Sequence, residues 1–377
     1  MARRVRKMDQ LSWSLQNGTN QLYVTSLGGH MAPVIFDQNS TQPIEPYFVN
    51  PWHGEELELD ETVLVPLRGD FFCLPFGENN AVNGEFHHVH GETAGNEWEF
   101  VALTEEDGVS TIELAMTIKE RPGKVTKKLS FVEGQTAVYQ QHHIEGFAGK
   151  TTLGHHATLT GEKHWNISTS PLHFGRVNSD APLMVNREYI SLQPGAWFEM
   201  LEEVPTVWKE PAVTDCSIFP NQEGFVDIIQ VFFQPQDEEP VWTCAVCEEE
   251  GFLWYSFKNH AVLPSMVMWM ENHGRHGAPW NGRNCCIGLE DVCAYFAKGL
   301  VESIAENDIS KAGIPTCHEL DGEGFTVNVV QGVVRVPEGF DKVKKIFFED
   351  GQCTFISESD KLVATRVNYP FVFTGTL

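Results

Sequence analysis

The sequence predicts a large antiparallel β-sandwich, an all-β fold. Three observations lead there: short alternating apolar stretches recur along the whole chain, turn-forming residues separate them, and almost no segment carries a helical rhythm. Residues 21–27 alternate before Gly28-Gly29, and residues 30–36 run on into Asp37-Gln38-Asn39, a hairpin pattern. Residues 111–118 and 125–131 flank Arg121-Pro122-Gly123-Lys124, which is turn chemistry. Residues 137–144 and 151–159 follow the same habit, as do 226–233, 252–257, 265–270, 325–330 and 344–348. Residues 291–307 are the one helical candidate, with Asp291 as a cap and Phe296, Leu300 and Ile304 spaced by four.

The 377 residues are enough for a large core. No repeat or low-complexity linker breaks them, and the polar stretch 234–240 reads as a loop between strands. The expectation is one domain over residues 16–377, preceded by a flexible basic tail over residues 1–15. That basic start lacks a following apolar stretch and does not read as a secretory signal. Hydrophobic residues make up 42% and charged ones 21%, ordinary for a globular protein. The net charge of −26 argues against a nucleic-acid partner, since a polyanion would be repelled, and favours a small or neutral ligand. No apolar run is long enough to cross a bilayer, so no membrane partner is expected.

Nine cysteines form no disulfide-like framework. Cys73, Cys293 and Cys353 lie in apolar runs, where buried thiols are usual, and Cys244-Ala245-Val246-Cys247 is a lone C-x-x-C, a weak zinc signal. A reducing, cytoplasmic compartment is the expectation.

The polar motifs are more specific. Leu67-Arg68-Gly69-Asp70-Phe71-Phe72-Cys73-Leu74-Pro75-Phe76-Gly77 is followed by His90-Gly91-Glu92 and Asn96-Glu97-Trp98-Glu99-Phe100. Arginine, a Gly/Pro turn, His-Gly and tryptophan in that order suit an aromatic-lined cleft. Leu153-Gly154-His155-His156-Ala157-Thr158-Leu159 places two histidines on opposite faces of a strand. Cys285-Cys286-Ile287-Gly288-Leu289-Glu290 ends an apolar strand in a carboxylate, whose partial burial would raise its pKa. Extended, His88, His90 and Glu92 would share a face and form a possible zinc ligand set, but Gly91 and the turn-like residues after it speak against that geometry.

Together these motifs resemble the aldose 1-epimerase, or galactose mutarotase-like, family, including its hexose-6-phosphate epimerase-like branch. The resemblance covers most of the chain and extends to the stretch ending in Pro51-Trp52, to Met268-Trp269-Met270-Glu271-Asn272 and to Trp280-Asn281-Gly282-Arg283-Asn284. It implies an antiparallel β-supersandwich and an isomerase that interconverts the anomers of an aldose, a small-molecule sugar. The base would be Glu290 and the acid His156, with His155 left open as the alternative because the register is not fixed. Arg68, His90, Trp98, Trp269 and Arg283 would bind the ring or an anionic group on it. Opening a hemiacetal needs one base at the anomeric hydroxyl and one acid at the ring oxygen, and no metal or organic cofactor. Phosphosugar-specific members carry Phe-Ala-Arg after His-Gly; here Glu92-Thr93-Ala94-Gly95 replaces it, so a neutral hexose is the expected substrate. A non-catalytic sugar-binding or regulatory protein is the main alternative. A glycan lyase or hydrolase is another, although hydrolysis needs two flanking carboxylates and Asp291 should point away from Glu290. Oligomeric state is not legible.

Overall fold

The computed structural model describes residues 4–78, 80–82, 84–179, 188–236 and 238–377. Among them, the largest sheets have nine and seven strands, antiparallel throughout. The nine-stranded sheet runs from Ile218–Phe219 through Trp165–Thr169, Val241–Cys247, Phe252–Lys258, Phe325–Arg335, Ala137–Glu145, Gly123–Val132 and Val109–Ile118 to Glu99–Glu106. The seven-stranded sheet orders Trp197–Phe198, Leu172–Val177, Phe225–Phe233, Ser265–Asn272, Cys285–Cys293, Leu153–Thr160 and Phe72–Cys73. The all-β fold expected from the sequence is the fold observed.

Alternation explains how the layers pack. In the seven-stranded sheet, Leu153, Ala157 and Leu159 share one face with Ile287, Leu289, Met266 and Met268, and join the core between the sheets. The opposite face carries Val267, Trp269, Cys286 and Val292, covered by Trp52, Phe71, Phe76 and Trp280 from loops. The outer face of the nine-stranded sheet is covered in turn. Tyr139, Cys244, Leu253, Tyr255 and Phe257 pack against Val343, Ile346, Cys353 and Phe355 of a three-stranded sheet near the C-terminus. Central strands buried on both faces explain the near-continuous apolar runs at 241–247 and 252–258. Cys244 and Cys247 are three apart on one strand and so enter different clusters, on opposite faces, which rules out joint ligation of one ion.

Two expectations are corrected. Residues 5–15 are not a tail: Val5–Lys7 pairs with Gln10–Asn17, which pairs with Asn20–Thr25 in a four-stranded sheet. Residues 1–3 of the expected tail lie outside the described residues. The helical rhythm over 291–307 also gives way. Residues to Cys293 continue the strand Cys285–Cys293, and only Gly299–Ile304 is helical, because Asp291 is taken by a cross-sheet ion pair with Lys258 rather than by a helix cap. The expected loop at 234–240 has its polar residues outside any strand, with Asp237 outside the described residues. The hairpin at residues 21–36 pairs as Asn20–Thr25 with Met31–Ile35.

Candidate active site

The register between Leu153–Thr160 and Cys285–Cys293 sets His156 opposite Glu290 and His155 opposite Asp291. Both members of the first pair face away from the inter-sheet core. There His156 Nε2 lies 3.2 Å from Glu290 Oε1. The other ring nitrogen, Nδ1, lies 3.1 Å from the Thr158 hydroxyl, two residues along on the same face. Gly288 precedes Glu290 on that face; a Cβ there would collide with the Glu290 carboxylate, so glycine leaves the space that the acid occupies.

The pair forms part of the wall of a cavity of about 170 Å³, with Trp269, Trp280, His90, Arg275 and Glu78 among its other lining residues. Phe71 stacks on the His156 ring at 4.5 Å between centroids and 16° between planes. His90 and Trp269 meet it edge-on, at 5.0 and 5.9 Å. His90 reaches this position because the chain turns sharply, with φ of 60° at His90 and 75° at Gly91, and Glu92 opens a short helix. An extended His88, His90 and Glu92 ligand face is therefore absent. Leu74 bridges to Gly91, where a Cβ would strike the Leu74 carbonyl, so the Pro75 turn and the His-Gly turn lock together.

Electrostatics at the pair are set by desolvation. Burial pushes the Glu290 carboxyl well above the usual carboxylate range, and the Arg275 charge opposes this without overcoming it. Burial also pushes His156 well below the ordinary imidazole value, and neighbouring His90 adds to this. His90 is held down to about 3 by burial alone. Both directions favour the uncharged forms, a protonated Glu290 beside a neutral His156, close enough for that proton to pass between them.

Arg275 is the only lysine or arginine in the cavity wall among the described residues. Its guanidinium lies over Trp269 and Trp280, at 5.3 and 4.9 Å from the ring centroids. It also pairs with Glu188 at 3.2 Å and Glu271 at 3.8 Å. Glu271 is buried and pushed up to about 7 by desolvation, against the pull of Arg275.

Of the residues named from the sequence, Glu290, His156, His90 and Trp269 meet at this cavity. The others do not. His155 faces the inter-sheet core, where its Nδ1 lies 2.9 Å from Asp70 Oδ2, as strand alternation requires once His156 faces the cavity. Arg68 is fully buried with its guanidinium spent on backbone carbonyls: Nε donates to Pro66 at 2.9 Å, Nη2 to Met8 at 3.1 Å and Nη1 to Lys7 at 3.4 Å. It straps the N-terminal strand rather than facing the cavity. Trp98 lies in the core; its indole N–H donates to Thr93 O, and its ring packs against the Lys127 ammonium. Arg283 pairs with Glu55 and lines a separate polar groove with His273 and Asn284. Sequence reasoning assigned no role to Arg275, Trp280, Glu78 or Thr158. Arg275 had one available signal: it continues the alternate positions Val267, Trp269 and Glu271, which share the outward face of their strand. Thr158 had another, since it shares the strand face of His156.

No family model and no curated protein matches the chain. Solved structures do. A galactose mutarotase-like protein from Clostridium acetobutylicum superposes with a TM-score of 0.59 at 10% identity, covering 89% of this chain and 98% of the other. A galactose mutarotase related enzyme from Lactobacillus acidophilus gives 0.52 at 11% identity, covering 87% and 99%. A galactose mutarotase-like protein from Lactobacillus casei gives 0.51 at 10% identity, covering 86% and 100%. Nearly the whole of each relative is matched at an identity that speaks for architecture alone. The chain has the galactose mutarotase-like fold.

Proposed function

We propose that the cavity binds an aldose in its pyranose form and interconverts its anomers by acid–base ring opening. The observation that carries this reading is the 3.2 Å approach of His156 Nε2 to Glu290 Oε1 in a small cavity with tryptophan in its wall. The proton inventory fits. Burial favours a protonated Glu290 beside a neutral His156; passing that proton to Nε2 gives ionised Glu290 and imidazolium, and in this form Glu290 takes the proton of the anomeric hydroxyl while Nε2 protonates the ring oxygen. The ring bond breaks, and C1–C2 rotation exposes the other face of the aldehyde. Closure reverses both transfers, and no proton is gained or lost over the cycle. No cofactor is needed for these steps. Trp269 supplies an apolar face for the C–H side of a pyranose, and its buried indole N–H has no acceptor among the described residues, which leaves a donor for a sugar oxygen.

A neutral sugar is the substrate class that suits the wall. The charge of Arg275 is already shared between Glu188 and Glu271, and Glu78 and Glu290 add acid to the lining. The test is polarimetry or proton NMR on a panel of free and phosphorylated hexoses. Glu290→Gln and His156→Asn should each slow mutarotation by roughly 10²–10⁴-fold, the range of a single acid or base. Wild-type protein that binds a sugar without accelerating its mutarotation would make this a binding protein instead.

A further inference from the structure

The cavity pair has a third member that the ring-opening scheme does not use. Thr158 is fully buried, shares the strand face of His156, and places its hydroxyl oxygen 3.1 Å from Nδ1. Phe71 holds the ring plane from one side, and is itself stacked on His30 at 4.0 Å and 13°. His30 is fixed in turn: its Nε2 donates to Ala94 O at 2.9 Å while Nδ1 accepts the Arg68 N–H at 3.3 Å. The His156 imidazole is thus clamped in plane by Phe71 and at one nitrogen by Thr158, while Nε2 faces the Glu290 carboxyl.

We propose that Thr158 is a positioning residue that keeps a proton on His156 Nδ1, so that Nε2 alone takes part in proton transfer. The inference rests on the mutarotase reading of the same site. The proton balance shows why a tautomer lock is needed. A neutral imidazole protonated only at Nε2 cannot give that proton up, because imidazolate would result. A neutral imidazole protonated at Nδ1 can accept at Nε2, become imidazolium, and return the proton at Nε2 in the reverse step. In both working states Nδ1 carries hydrogen and Thr158 Oγ1 accepts from it. The hydroxyl therefore need not reorient during turnover. Were it instead to donate to Nδ1, the ring would be held in the unproductive Nε2–H form against Glu290. The charged and titratable groups facing His156 are Glu290 from the neighbouring strand, His90 and Arg275 from the loops over the cavity, and His30 beyond Phe71.

The test has a spectroscopic arm and a kinetic arm. In wild-type protein with ¹⁵N-labelled histidine, assigned by the His156→Asn spectrum, His156 Nδ1 should show the shift of a protonated, pyrrole-type nitrogen at neutral pH. Thr158→Val should move that signal toward the unprotonated type. It should also lower kcat for mutarotation about 10–100-fold with little change in KM, and Thr158→Ser should recover most of the loss. A lone pair on Nδ1 in the wild type overturns the proposal whatever Thr158→Val does, and so does a Thr158→Val protein with wild-type kcat and an unchanged spectrum. A protonated Nδ1 in a protein that accelerates no sugar's mutarotation would leave the tautomer lock standing while removing the mutarotase reading.

Discussion

The two faces of the strands Leu153–Thr160 and Cys285–Cys293 each hold a histidine beside a carboxylate, and they treat it differently. Toward the inter-sheet core, His155 meets Asp70 at 2.9 Å, Asp70 also accepts from Gln140 at 2.6 Å, and Asp291 is paired with Lys258 at 2.5 Å and with Ser256 at 2.7 Å. Toward the cavity, Glu290 has His156 and, among the described residues, no cation of comparable closeness. In the core the acids have dedicated ion-pair and hydrogen-bond partners, as buried polar groups require. At the cavity the acid and the imidazole are left short of compensation and are driven toward their uncharged forms by burial. Adjacent residues in the sequence, 155–156 and 290–291, thus divide into a core set and a cavity set purely by which way the strand points them.

The largest test of this contrast is at Asp291. Lys258→Met should destabilise the fold by about 3–5 kcal/mol by stranding a buried carboxylate. Glu290→Gln should be neutral or stabilising above neutral pH, because it removes a carboxylate that the fold does not compensate. Chemical denaturation of both variants reads the difference; equal losses would erase the distinction between the faces.

A smaller effect concerns Glu271, on the cavity side. Its folded pKa, about 7, lies above the ordinary glutamate value of 4.5. The native state therefore binds the proton more tightly than the unfolded chain. The associated stability is full below about pH 4.5 and is lost as pH rises through 7. Glu271→Gln should abolish that decline, an effect bounded at about 3 kcal/mol by the width of the window. Denaturation midpoints at pH 5 and pH 8 check it, and a wild-type stability that rises over this interval alongside a flat variant would contradict the sign.

The smallest expected effect sharpens the contrast at Arg68. With its donors spent on Pro66, Lys7 and Met8, Arg68→Met should cost roughly 1–3 kcal/mol of stability. It should leave KM for the sugar unchanged, because the guanidinium is not in the cavity wall. A raised KM in a variant of normal stability would return Arg68 to the binding site.

Much of the fold was legible because alternation and turn chemistry are local properties. Residues 109–118, 123–132 and 265–272 fall where the alternating apolar pattern put strands. The helical reading of 291–307 held only over Gly299–Ile304, which contains Leu300 and Ile304; its start failed for a non-local reason, since Asp291 lies in the strand Cys285–Cys293 and meets Lys258 on the facing sheet. At the site, Glu290 and the His155-His156 pair were visible as residue types in a strand. Arg68 and Trp98 were misplaced because a motif names residues without saying what their hydrogen bonds will be spent on. Arg275 was overlooked because it lies beyond the end of the strand Ser265–Asn272, where the backbone passes through a left-handed His273 before its guanidinium reaches Trp269.

By itself the sequence determined the strand-rich architecture, the acidic surface charge, and the stock of histidine, glutamate and tryptophan available for sugar chemistry, since these follow from composition and short-range pattern. Only the tertiary structure decided which histidine joins Glu290. That choice depends on the cross-strand register and on which face each strand turns to the second sheet, and a shift of one residue would exchange His156 for His155.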